Sequence, residues 1–155
     1  MSNKIKEREI QIERLQNNLS PIRKIAGWTA EVLGDKIGVT KQTISNLENK
    51  KTPMNFTQYI AIRSVLDYEI SNNKENEVLP KVVALLLDCD DELDEADYSK
   101  VQDVVGTVAA TAAGGTSTDK LDTVFDVLIK TLPFVVPIIG TIIGTSANWS
   151  KKLFK

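Results

Sequence analysis

The chain has no histidine and a single cysteine in 155 residues. Without histidine there is no Ser-His-Asp or Cys-His nucleophile, and most zinc sites lose their usual ligand. One thiol, Cys89, excludes an internal disulfide and every paired-cysteine motif, as expected of a reducing compartment. No phosphate-cradling glycine loop and no G-x-S-x-G elbow occurs. Nothing therefore points to an enzyme, a metal or a cofactor. The start, Met1-Ser2-Asn3-Lys4-Ile5-Lys6-Glu7, is charged and does not read as a secretory signal. Five prolines and eight glycines are few enough that each can be asked for a local reason.

What is present has a helical period throughout, so the expected class is all-α. The length allows one domain or two small ones. The net charge of −2 hides an asymmetry. Residues 1–70 hold 11 Lys and Arg against 8 Asp and Glu, and residues 71–155 hold 8 against 13. A basic half beside an acidic one fits a first part that meets nucleic acid and a second that avoids it.

The informative stretch is Thr40-Lys41-Gln42-Thr43-Ile44-Ser45-Asn46-Leu47-Glu48-Asn49. Thr40 is a good N-cap, and Ile44 and Leu47 are three apart and can enter a core. Lys41, Gln42, Thr43 and Asn46 are left for the surface, with groups that match base edges and phosphates. Upstream, Thr29 can cap a helix whose dipole Glu31 suits, Leu33 and Ile37 face inward, and Gly38 stands where a helix should stop. Helix, glycine, one apolar residue, capped helix spells a helix-turn-helix.

From Ser20 to Ile70 the sequence resembles the Cro/repressor-type (XRE) helix-turn-helix family. The residues that carry the resemblance are Arg23, Thr29, Leu33, Ile37-Gly38-Val39-Thr40, Thr43-Ile44-Ser45, Leu47-Glu48-Asn49 and Pro53. The resemblance implies double-stranded DNA as partner, a homodimer, and a cytoplasmic regulator of transcription, most simply a repressor. It implies base reading by Lys41, Gln42, Thr43 and Asn46. Phosphate contact falls to Thr29, Thr40, Asn49, Lys50, Lys51 and Thr52, and Arg23 and Glu48 form a structural ion pair. Two positions depart from the family. Lys50 stands where glycine is usual, so Asn49 is expected to take the left-handed conformation in its place. Ala30 stands where many members carry a phosphate-contacting glutamine.

Around this motif the chain reads as further helices. Lys4 to Asn18 is polar, with a thin stripe of Ile5, Ile12 and Leu19, open to packing on its own domain, to a dimer strip or to a DNA-touching arm. Ser20-Pro21 signals a new helix start. Asn55-Phe56-Thr57-Gln58 is a capping box, opening a helix to about Ile70. The polar stretch 71–77 is expected to link residues 1–70, the DNA-binding domain, to a helical effector or oligomerisation region at 78–155. Seven acidic residues among Asp88 to Asp97 are expected on a solvated helix face, because a calcium loop would need glycine where Leu93 stands. Leu121, Val124, Phe125, Leu128 and Ile129 form one face of an amphipathic helix, with Asp122 and Asp126 on the other.

Thr131 to Ser150 is twenty residues without a charge and includes Pro137, Gly140-x-x-x-Gly144 and Trp149, ahead of Lys151, Lys152 and Lys155. Two readings of this tail stand. One is a buried helix or oligomer interface. The other is membrane association through 131–150, as a hairpin with Val101–Thr118, which would tether the protein to the cytoplasmic face. A rival function follows from the second: a membrane-associated or oligomerising interaction protein whose helix-turn-helix binds protein.

Overall fold

Leu15, Leu19, Ile22 and Ile25 recur every three or four residues and so share one helical face. All four are buried. In the computed structural model, which describes residues 2–89, 92–142 and 149–154, this stripe lies on one unbroken helix, α1 (Ser2–Ile25). The break expected at Ser20-Pro21 does not occur; Pro21 sits inside the helix. Its missing N–H costs about 3 kcal/mol. Burial of a leucine or isoleucine contributes about 1.5–3 kcal/mol each, and two such residues lie on each side of Pro21, so the stripe outweighs the defect. The thin Ile5–Ile12–Leu19 seam is not a free strip, because Leu19 belongs to the core, Ile12 packs against it, and only Ile5 is exposed.

Helix α1 ends at Gly27 (φ 82°), where the Trp28 N–H reaches back to the Arg23 carbonyl. Helix α2 (Ala30–Ile37) starts at Thr29, whose hydroxyl accepts from Val32 N–H (3.1 Å). It stops at left-handed Gly38. Helix α3 (Lys41–Glu48) is capped by Thr40, which accepts from Thr43 N–H (3.1 Å). Helix α4 (Phe56–Asn72) opens with both bonds of the Asn55–Gln58 capping box. Leu33, Ile44, Leu47, Tyr59, Ile62 and Leu66 close on the α1 stripe.

The polar stretch after Ile70 begins as the last turn of α4 and then tightens. Asn76 is buried; its amide donates to the Ile25 carbonyl (2.9 Å), and its side-chain oxygen accepts from Leu79 N–H (3.1 Å). The connection is therefore pinned to the end of α1. Helix α5 (Val78–Val83) continues into a π-helical turn, Ala84–Asp88. Val78, Leu79 and every residue from Val82 to Leu87 are buried, which marks a segment surrounded on all sides.

Helix α6 (Glu95–Ala113) starts at Asp94, whose carboxylate accepts from Asp97 N–H (2.8 Å). It buries Val101, Val105, Val108 and Ala109, and makes the most extensive packing of any helix on α1. A polar seam sets their register. Tyr98 donates to the Leu86 carbonyl (2.7 Å), Asn18 donates to the Tyr98 hydroxyl (3.0 Å), and Gln102 donates to the Asn18 side-chain oxygen (3.0 Å). Helix α7 (Thr118–Ile129) buries Leu121, Phe125 and Ile129. Asp122 and Asp126 lie off the buried Leu121–Phe125–Ile129 face, as expected, and stand 3.8 and 3.9 Å from Lys81 Nζ of α5.

The acidic run is not uniformly solvated. Asp88 is largely buried and accepts from both terminal nitrogens of Arg63, each at 3.1 Å, while the Arg63 side chain is fully buried. Asp90 and Asp91 lie outside the described residues.

Helix α8 (Val135–Ile142) buries Val135 and leaves Val136 exposed. Of the Gly140–Gly144 pair, Gly140 has open space where a Cβ would stand. Gly144, with Thr145, Ser146, Asn148 and Lys155, is outside the described residues. Helix α9 (Trp149–Leu153) returns to the first half, where Trp149 Nε1 donates to Asp67 (2.7 Å) and Trp149 packs edge-on to Tyr59. One core cluster thus joins residues from α1 to α9. Among the described residues there is no strand, and no helix is long and apolar enough to cross a membrane.

Candidate nucleic-acid interface

The pose of α3 is set from both ends. At its start, Gly34 brings α2 against the turn. A Cβ there would stand 2.7 Å from the Val39 carbonyl oxygen, so only glycine permits this approach. Gly38 and Val39 both donate to the Gly34 carbonyl (2.9 Å each), which closes the corner between the helices.

At its end, Arg23 of α1 grips Glu48. Nε donates to one carboxylate oxygen (2.6 Å) and Nη2 to the other (3.0 Å). Nη1 donates to the Trp28 carbonyl (2.8 Å). Both side chains are about nine-tenths covered (12% and 11% exposed), so this fork is shielded from solvent competition. It ties the end of α3 to α1 and to Trp28, which precedes the α2 cap Thr29. Lys36 lies over the Trp28 ring, 5.0 Å from its centre, and covers the same corner.

The four residues nominated for base reading fall on the outer face of α3. Lys41 and Gln42 are exposed; Thr43 and Asn46 are half-buried. Gln42 Nε2 donates to Asn46 Oδ1 (2.9 Å). That nitrogen carries two hydrogens, so one remains, and beside Oε1 it forms the donor–acceptor pair that matches an adenine edge. The Thr43 hydroxyl shares a hydrogen bond with the Thr40 hydroxyl (3.0 Å).

The residues nominated for phosphate contact split into two groups. Thr29 and Thr40 spend their hydroxyls on capping α2 and α3, at two helix starts. Asn49, Lys50, Lys51 and Thr52 are exposed in the loop after α3. Here the structure corrects the expectation for Asn49, which has φ −89°; Lys50 itself takes the left-handed conformation (φ 58°). The cause is the hydrogen-bond pattern. Lys50 N–H reaches the Leu47 carbonyl (3.2 Å) and Lys51 N–H the Asn46 carbonyl (2.9 Å). This paired pattern puts the left-handed residue at position 50, one beyond Asn49. A side chain in that conformation costs about 1–2 kcal/mol.

One residue that sequence reasoning missed is Gln16. From α1 its amide donates to the Leu47 carbonyl (3.0 Å) and the Thr52 carbonyl (2.8 Å), and its oxygen accepts from Met54 N–H (3.0 Å). Nothing in the spacing of α1 distinguishes Gln16 from its polar neighbours. Its role depends on a loop more than thirty residues away.

Comparison with known proteins agrees with this geometry. A family model described as helix-turn-helix matches residues 22–71. The match begins at Ile22, so Gln16 and most of α1 precede it. Neither the curated proteins nor the solved structures contain a match to the chain. Residues 22–71 are a helix-turn-helix domain of the Cro/repressor (XRE) type, a family of DNA-binding regulators.

Proposed function

We propose that the chain is a sequence-specific regulator of transcription that acts as a repressor, with α3 laid in the major groove. The observation that carries this reading is the outer face of α3. Lys41, Gln42 and Asn46 face outward from a helix whose angle Arg23 and Glu48 hold. Lys41, Gln42, Thr43 and Asn46 read bases, and Thr29, Thr40, Asn49, Lys50, Lys51 and Thr52 meet the phosphates on either side. Repression needs no further chemistry from the chain, since a bound domain covers its site.

A lone motif of this kind reads a twofold site as a homodimer. Helix–helix association through 131–150 is the dimer contact, a reading supported by the exposed Val136 (55%) of α8. The protein works where the DNA is, in the cytoplasm. Footprinting with full-length protein tests the reading. Gln42→Ala should lose about 1–3 kcal/mol on the specific site and little on random DNA. Equal losses on both, or no footprint from the parent chain, would leave protein binding as the better account.

A further inference from the structure

We infer that Gln16 is the positioning residue that holds Lys50 in its left-handed conformation and so presents the Lys50–Lys51 pair to a phosphate. The second half of this statement rests on the DNA reading above; the first does not.

The loop after α3 has a difficulty and a remedy, and they come from different parts of the chain. The difficulty is Lys50, the one non-glycine residue with positive φ among those described. Glycine would take this conformation freely, but it would bring no charge. The remedy is the Gln16 side chain, which brackets Lys50. It holds Leu47 O on the near side, and Thr52 O and Met54 N on the far side. Met54 is buried, so the far end of the loop is anchored to the core as well. Backbone in a sparsely populated conformation persists when its surroundings over-determine it, and three bonds from one amide do that here. Gln16 can supply them because α1 runs unbroken through Pro21 and extends well before the family segment.

A double-mutant cycle on the full-length protein tests the inference: Gln16→Ala, Lys50→Gly and the two together, with melting temperature and DNA binding measured for each. With Lys50 in place, Gln16→Ala should lower the melting temperature and weaken binding to specific and random DNA alike, by about tenfold. With glycine at 50, which needs no holding, the loss of melting temperature should fall to less than half. Equal losses in the two backgrounds would overturn the inference. Gln16→Glu preserves size, but its carboxylate cannot donate to Leu47 O or Thr52 O, so it should fall at least as far as Gln16→Ala. Parent-like behaviour of Gln16→Glu would also overturn the inference. If the thermal cycle shows the coupling while the parent chain binds no DNA, the clamp stands and the phosphate role falls.

Discussion

Replacing Glu48 by alanine removes the acceptor of two guanidinium hydrogen bonds, at 2.6 and 3.0 Å, and leaves Arg23 with only the Trp28 carbonyl. An exposed pair would be worth under about 1 kcal/mol. This one is about nine-tenths covered on both sides, so the cation left behind cannot be fully rehydrated. Breaking a buried pair from one side costs about 3–5 kcal/mol, and slight exposure places this case near the lower end. A loss of about 3 kcal/mol lowers the melting temperature by about 6–12 °C in a chain of this size. The companion variant is Arg23→Met with Glu48→Leu. It removes both charges, keeps the volume, and should recover most of the stability. DNA binding should not recover with it, because an apolar contact has no fixed direction and the angle of α3 is no longer set. Chemical unfolding and DNA titration on the same samples make the comparison. A cost below about 1 kcal/mol for Glu48→Ala would refute the shielding argument. Full DNA affinity in the apolar pair would refute the positioning argument.

Three further outcomes are expected. Lys51→Ala should weaken binding to all sequences alike and lower the slope of log affinity against log salt by about 1; an unchanged slope would place Lys51 away from the backbone. Gly34→Ala should cost about 1–3 kcal/mol, because its Cβ meets the Val39 carbonyl oxygen rather than a side chain that can move; a neutral result in urea unfolding would contradict the tight corner. The full chain should unfold in one transition, seen alike by tryptophan fluorescence and far-ultraviolet dichroism, because one core runs from α1 to α9; two separated transitions would contradict a shared core.

The parts of the fold that were legible obey short-range rules. Thr29, Thr40 and the Asn55–Gln58 box sit at helix starts because a side-chain oxygen there satisfies a free N–H within three residues, and such a relation can be read from spacing. Gly38 is left-handed for an equally local reason. The Lys50 conformation was misplaced by one residue, since the choice between positions 49 and 50 depends on which carbonyls the next two N–H groups reach. Pro21 was misread because its local cost is visible in the sequence, while the stripe that offsets it belongs to a tertiary core.

Arg63 shows why the second half was harder to read. It lies between Tyr59, Ile62 and Leu66 on the buried face of α4, yet by residue type it belongs outside. Only its partner makes the position tenable. Asp88 supplies both oxygens, and the Trp149 ring covers the guanidinium at 5.0 Å. These groups come from the end of the π-helical turn and from α9, and in sequence they belong to an acidic run and an uncharged tail. Read separately, the run suggests a solvated face and the tail suggests either a buried helix or a membrane segment. Brought together around Arg63, they become the lid of a charged site inside the core. A buried charge without its partner is strongly destabilising, so α4 of the helix-turn-helix domain requires the C-terminal half in order to bury Arg63 as it does. The two halves are therefore tied by an electrostatic requirement as well as by apolar packing, and a change at Asp88 or Trp149 is felt first at α4, the helix that follows the loop after α3.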